Sequence, residues 1–151
     1  MATPYDCVYA AFLSRITSFD RAELEEELLE ADMENLLYAA LPYFRLPRIP
    51  LTYDREAKEF THCLTNDEIQ IISVLMKREW YRRFIADAEL LIQKYDTNDF
   101  EVKSQANHLK ALVSAEVESL NKECKKMISN YDRVDREGKT FDYKKLAGKG
   151  K

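Results

Sequence analysis

Glycine is almost missing from this chain of 151 residues: there are three, Gly138, Gly148 and Gly150, all close to the C-terminus. Proline is nearly as scarce and sits at the other end, as Pro4, Pro42, Pro47 and Pro50. Residues 51–137 therefore hold neither of the two strongest breakers of regular structure, which leaves room for long helices. A β-sandwich or a doubly wound sheet, with its many tight turns, would be hard to write without glycine.

Cysteine is limited to Cys7, Cys63 and Cys124, an odd number at wide spacing with no CxxC, which suggests neither a disulfide framework nor a zinc site. All three read as small apolar fillers in a reducing compartment, and Cys124 lies on an apolar helical stripe where a thiol is inert. The two histidines leave little for catalysis, since a nucleophile needs a base within hydrogen-bond reach and that base is usually His. Glu59-Phe60-Thr61-His62 has the Glu-x-x-His spacing of di-iron bundles, but such sites take two copies on facing helices and only one exists. His108, beside Asn107, reads as a hydrogen-bonded structural histidine rather than a partner contact. No catalytic residue, cofactor or metal is expected. No apolar run approaches the ~20 residues that span a bilayer, and Met1 to Leu13 lacks the basic start and long apolar run of a signal peptide. The expectation is a chain made in the cytoplasm, with no membrane partner.

What is present is 46% apolar and 33% charged residues, enough for one globular domain, with a net charge of −4 that is unevenly spread. Between Asp20 and Glu34 the acidic residues Asp20, Glu23, Glu25, Glu26, Glu27, Glu30, Asp32 and Glu34 face Arg21 alone. From Lys139 onward the sign reverses, with Lys139, Lys144, Lys145, Lys149 and Lys151 against Asp142. Candidate interaction residues are thus Glu25, Glu26, Glu27 and Glu30 on an acidic face, and Lys139, Phe141, Tyr143, Lys144 and Lys145 on a basic arm. In a ring of identical subunits the arm of one could lie against the acidic face of the next.

Apolar spacing predicts about four helices. Pro4 can open the first, with Tyr5, Val8, Tyr9, Phe12 and Ile16 on one side. The second starts near Phe19 and Asp20, carries Leu29, Met33, Leu36, Leu37, Ala40, Leu41 and Phe44 opposite the glutamates, and ends near Pro42. Residues 45–64 read as a long loop or small hairpin, with Leu51-Thr52-Tyr53 and Glu59-Phe60-Thr61 as strand-like pieces. Thr65-Asn66-Asp67-Glu68 is a capping box that starts the third helix, where Ile69, Ile72, Met76, Trp80 and Phe84 form one stripe and Tyr81, Ile85, Ala88, Ile92 and Tyr95 a neighbouring one. Asp96-Thr97-Asn98-Asp99 favours a turn. Ser104 can cap the last helix, with its stripe Ala106, Leu109, Val113, Val117, Leu120, Cys124, Met127 and Tyr131. In Lys77-Arg78-Glu79-Trp80-Tyr81-Arg82-Arg83 the aromatics should point inward and the charges outward. The fold class is all-α: a helical domain over 1–131 and an extended basic arm over 132–151.

Leu64-Thr65-Asn66-Asp67-Glu68-Ile69, Leu75-Met76, Glu79-Trp80, Asp99-Phe100 and the hexamer Ser104-Gln105-Ala106-Asn107-His108-Leu109, together with the acidic second helix, resemble a family of small head-to-tail connector proteins of tailed bacteriophages, also called neck or adaptor proteins. The resemblance spans roughly residues 5–131. The chain departs from it at Asn98, where Lys often precedes the Asp-Phe pair, and in a longer basic extension after Asp132. The resemblance implies a structural virion protein located in the neck between capsid and tail and made in the host cytoplasm. It implies a homo-oligomeric ring of about twelve copies, with the portal protein and a tail-side connector or tail terminator protein as partners. Genomic DNA would pass through the channel without specific binding, and the acidic face could line that channel. The alternative is a small helical nucleic-acid-binding regulator that uses Lys77 to Arg83 and the lysine-rich arm. An enzyme is a third reading, for which no site is assembled in the sequence.

Overall fold

The computed structural model describes residues 2–16, 26–94 and 100–134, the side chains of 26–30, 88, 91–94 and 100–103 excepted. Within those residues the protein is mostly helical, as the spacing predicts. The helices are α1 (Tyr5–Leu13), α2 (Glu26–Ala40), α3 (Asn66–Lys94) and α4 (Phe100–Arg133), and a 3-10 turn over Leu41–Tyr43 carries the end of α2 through Pro42.

The hairpin expected in 45–64 is present as β2 (Tyr53–Asp54) and β3 (Glu59–Phe60), and it gains a third strand, β1 (Thr3–Pro4), on the other side of β3. Both pairings are antiparallel, with Thr3 and Tyr53 each opposite Phe60. The turn is made without glycine: Asp54 Oδ1 accepts from the Glu56 and Ala57 N–H groups, and Lys58 takes a positive φ of 51°. A side chain in that left-handed region costs about 1 kcal/mol, which the local Asp hydrogen bonds help offset. The sheet also holds the chain's start, since Tyr5 N–H donates to the Lys58 carbonyl at 2.9 Å and Leu64 N–H donates to Thr3 Oγ1 at 2.8 Å.

In α1 the side chains of Tyr5, Val8, Tyr9 and Phe12 are buried on one face, and Ile16 is buried just beyond. The α3 capping box forms as read: Glu68 Oε2 accepts from Thr65 N–H at 2.7 Å, and Thr65 Oγ1 accepts from Glu68 N–H at 3.4 Å. Further along α3 the expected stripe gives way to burial all round. Ile71, Ile72, Ser73, Val74, Leu75 and Met76 are all buried, because this part of the helix is packed by α1, α2 and α4. Ile69 and Phe84, expected in the stripe, are only half-buried.

Two expectations about α4 are corrected. The helix begins at Phe100, so Ser104 is an exposed residue inside it and not its cap. The buried positions are Ala106, Val113, Leu120, Cys124 and Tyr131, whereas Leu109 is 47% exposed and Val117 half-buried. Beside a single partner helix only a narrow seam is covered, and Leu109 falls on its flank.

Cross-links between α3 and α4 fix one antiparallel register: Glu68 to Tyr131, Arg78 to Asn121 and Glu89 to Lys110. Among the described residues the hydrophobic core fills one end of this hairpin. Its α3 members stop at Trp80 and its α4 members begin at Leu120, and α1, α2 and Phe60 of β3 close over them.

Candidate interaction surfaces

Of the candidate interaction residues, Glu25 and Lys139, Phe141, Tyr143, Lys144 and Lys145 lie outside the described residues, as does the arm itself. Glu26, Glu27 and Glu30 belong to α2 by their backbone, and their side chains also lie outside those described. The same acidic segment ends in two residues that are described, and both face inward. Asp32 pairs with Arg83 of α3, and Glu34 Oε1 accepts from the Tyr38 hydroxyl at 2.6 Å. Tyr38 stacks on Tyr53 with ring centroids 5.1 Å apart, and the Arg55 guanidinium lies 4.6 Å from the Tyr38 ring centre. Burial, followed by the bond to Glu34, pushes the Tyr38 hydroxyl far above its ordinary range. This end of α2 is a structural contact between helix and hairpin.

The basic cluster on α3 is spent inside the molecule. Arg78 Nη2 donates to Glu79 Oε1 at 2.8 Å and its Nη1 to Asn121 Oδ1 at 3.3 Å, while its guanidinium lies 4.0 Å from the centre of the Tyr43 ring. Arg82 donates to the Tyr43 hydroxyl at 3.0 Å and bridges Glu79, Lys77 pairs with Glu116 at 3.6 Å, and Arg83 takes Asp32. Trp80 is buried against Phe12 and Phe84, as expected of an inward aromatic. The expectation that all the charges point away is corrected at Arg78, which is buried at 8% exposure because Glu79 and Asn121 satisfy its donors. Lys77, Arg78, Arg82 and Arg83 share three carboxylates, Glu116, Glu79 and Asp32, so most of the positive charge on this face is compensated within the fold and little is left for phosphates.

At the closed end of the hairpin sits a buried carboxylate that the sequence gives no reason to expect. Glu68 has no exposed surface, and besides the Thr65 N–H its carboxylate accepts from the Tyr131 hydroxyl at 2.6 Å. That hydroxyl in turn accepts from Arg48 N–H at 2.9 Å, and the Arg48 guanidinium lies 3.9 Å from the ring centre of Tyr131. One group thereby joins the start of α3, the end of α4 and the Pro47–Pro50 loop. Burial, and then the bond to Glu68, pushes the Tyr131 hydroxyl up to about 12. Beside Tyr131, a cavity of about 250 Å³ is lined by Asp67, Ile71, Met127, Asn130, Tyr131 and Val134. On the other side of α3, Arg15 donates to Gln70 Oε1 at 2.6 Å and Ser73 Oγ at 3.0 Å, which buries Ser73 without loss of its hydrogen bonds.

At the open end the hairpin is different. Leu90, Leu109 and Leu112 are 63%, 47% and 58% exposed, and the Glu89–Lys110 pair at 2.8 Å holds Leu90 level with Leu109. The sequence places Leu109 in the last helix's stripe and does not single out Leu90 or Leu112. Their exposure follows from the absence of a third element over this half of the hairpin among the described residues.

Cys124 is buried, as its place on the stripe suggests, and burial pushes its thiol up to about 11. Cys7 and Cys63 are exposed and are not the apolar fillers expected, because Cys7 lies off the buried face of α1 and Cys63 follows the exposed bend at Thr61 and His62. His62 is exposed, and its Nδ1 shares a hydrogen bond with Thr61 Oγ1 at 2.9 Å; Glu59 is in β3, and the two do not meet in a helical Glu-x-x-His arrangement. His108 is exposed on α4 rather than held in a structural role. Among the described residues no three His, Cys, Asp or Glu side chains cluster as metal ligands would, and no helix is long and apolar enough to cross a membrane. No protein-family model matches the chain, and no curated protein or solved structure matches it either.

Proposed function

We propose that this chain is a head-to-tail connector of a tailed bacteriophage, a structural adaptor that forms a ring between portal and tail and lets DNA pass. Two things support the reading. One is the resemblance carried by Leu75-Met76, Glu79-Trp80 and Ser104 to Leu109. The other, which carries it on structural grounds, is the α3–α4 hairpin, which among the described residues extends past the core and leaves Leu90, Leu109 and Leu112 63%, 47% and 58% exposed at one end. A hairpin anchored at one end and apolar at the other suits a protein whose remaining contacts are supplied by neighbours. The internally paired basic face takes support away from the nucleic-acid-binding alternative.

On this reading the acidic segment with Glu25, Glu26, Glu27 and Glu30 lines the channel, where like charge keeps DNA from adhering to the wall. Native mass measurement of the purified protein, alone and mixed with its portal protein, tests the reading. Rings alone or rings assembled on the portal are expected. A chain that remains monomeric and separate in the presence of the portal rules the connector out.

A further inference from the structure

The cavity at the closed end of the hairpin has a size and chemistry that restrict what can fill it. At about 250 Å³ it is smaller than the roughly 300–1,000 Å³ clefts that hold cofactors and drug-sized ligands. It is large enough for an aromatic ring, since about 150 Å³ accommodates benzene. Ile71, Met127, Tyr131 and Val134 make its wall apolar, while Asp67 and Asn130, both exposed, give it one carboxylate and one amide. A side chain that enters should be aromatic or aliphatic, with positive charge beside it.

Val134, the last described residue, is itself part of the wall, so the remaining 17 residues, 135–151, leave from the cavity's edge. They contain the matching chemistry in one short stretch: Phe141 and Tyr143, followed by Lys144 and Lys145. Gly138 stands between the cavity and the aromatics. Four residues lead from Val134 to Gly138, and three to five lead on to Phe141 and Tyr143. Gly138, the first residue of the chain free to take any φ without a Cβ penalty, permits the reversal that such docking requires. We infer that the cavity is the docking site for the chain's own C-terminal arm, with Phe141 or Tyr143 in the apolar pocket and Lys144 and Lys145 toward Asp67.

Tethering decides between the chain's own arm and that of another copy. Phe141 and Tyr143 lie seven and nine residues beyond Val134, at most about 25 and 32 Å of stretched chain, and so short a tether raises the local concentration of the arm to the millimolar range, which favours the near site. The docked arm does not depend on ring formation; it constrains it, because an arm held on its own subunit is not free to lie on the acidic face of the next.

The test uses the full chain, with methyl signals of Ile71 and Met127 as reporters of the cavity and tryptic cleavage after Lys139, Lys144 and Lys145 as a reporter of the arm. Replacing Phe141 and Tyr143 together by Ala should move both methyl signals, by loss of ring current, and speed cleavage about tenfold. Asp67→Lys should speed it about twofold, in keeping with an exposed charge pair. Unchanged Ile71 and Met127 signals in the F141A/Y143A chain overturn the proposal. Protection that disappears on dilution overturns it as well, because the arm is then bound to another copy.

Discussion

The two ends of the α3–α4 hairpin use the same pair of helices and the same register, yet they are built on different physics. At the closed end α3 is enclosed on every side from Ile71 to Met76, and its one buried carboxylate, Glu68, accepts hydrogen bonds from Thr65 and Tyr131. At the open end, among the described residues, each helix has only the other to lean on. Ala106 and Val113 fill a narrow seam, a surface ion pair ties Glu89 to Lys110, and the leucines on the flanks stay in water. Stability should therefore reside at the first end, and the capacity to associate at the second.

The largest effect should come from the enclosed run. Ile72→Ala removes three methyl or methylene carbons from a fully buried site packed by neighbouring helices, and should lower the unfolding free energy by about 2–5 kcal/mol in urea titration. If the loss is under 1 kcal/mol, the closed end is not where the fold is held. The polar latch comes next. Glu68→Ala leaves the Tyr131 hydroxyl without its acceptor and dismantles the capping box of α3, at a cost of about 2–3 kcal/mol.

The latch also has a pH signature. Tyr131 titrates near 12 in the fold against about 10 when exposed, so the unfolded chain loses this proton first as pH rises. The stabilising contribution of the neutral hydroxyl is complete below pH 10 and is lost between about pH 10 and 12. Tyr5 and Tyr38 are raised as well, so the informative quantity is the difference between wild type and Tyr131→Phe. The melting temperature of Tyr131→Phe should fall less steeply over that window. Parallel curves for the two proteins would remove Tyr131 as the alkaline weak point.

How much of this was legible in the sequence follows from the same contrast. The capping box Thr65–Glu68, the buried face of α1 and the stop at Pro42 are local signals, and all three appear as read. Periodicity also identifies which face of α4 would be buried, but not how far a partner extends to bury it, so Leu109 is on the expected stripe and still exposed. The two-residue strand β1 has no pattern of its own; it exists because Phe60 draws Thr3 from a distant part of the chain. Glu68 and Arg78 are hidden by partners 63 and 43 residues away, Tyr131 and Asn121, which spacing along one helix cannot reveal.

A smaller effect is expected from the ion pair at the open end. Lys110→Ala breaks an exposed contact to Glu89, which should cost no more than about 0.2–1 kcal/mol and less still at high salt. A loss comparable to that of Glu68→Ala would mean that the two ends are not as different as the burial implies.

The leucines should matter least to the fold and most to assembly. Leu90, Leu109 and Leu112 already face water in the isolated subunit, so exchanging any one for Ser forfeits little burial on folding and should change stability by no more than about 0.5 kcal/mol. If this end receives a neighbouring subunit or the portal, the same exchanges remove the apolar centre of that interface, and association should weaken by tenfold or more for the triple variant. Urea titration and native mass measurement on one preparation separate the two effects. A triple variant that folds as the wild type does and still assembles on the portal would leave the open end without a role in the ring and shift attention to the acidic end of α2.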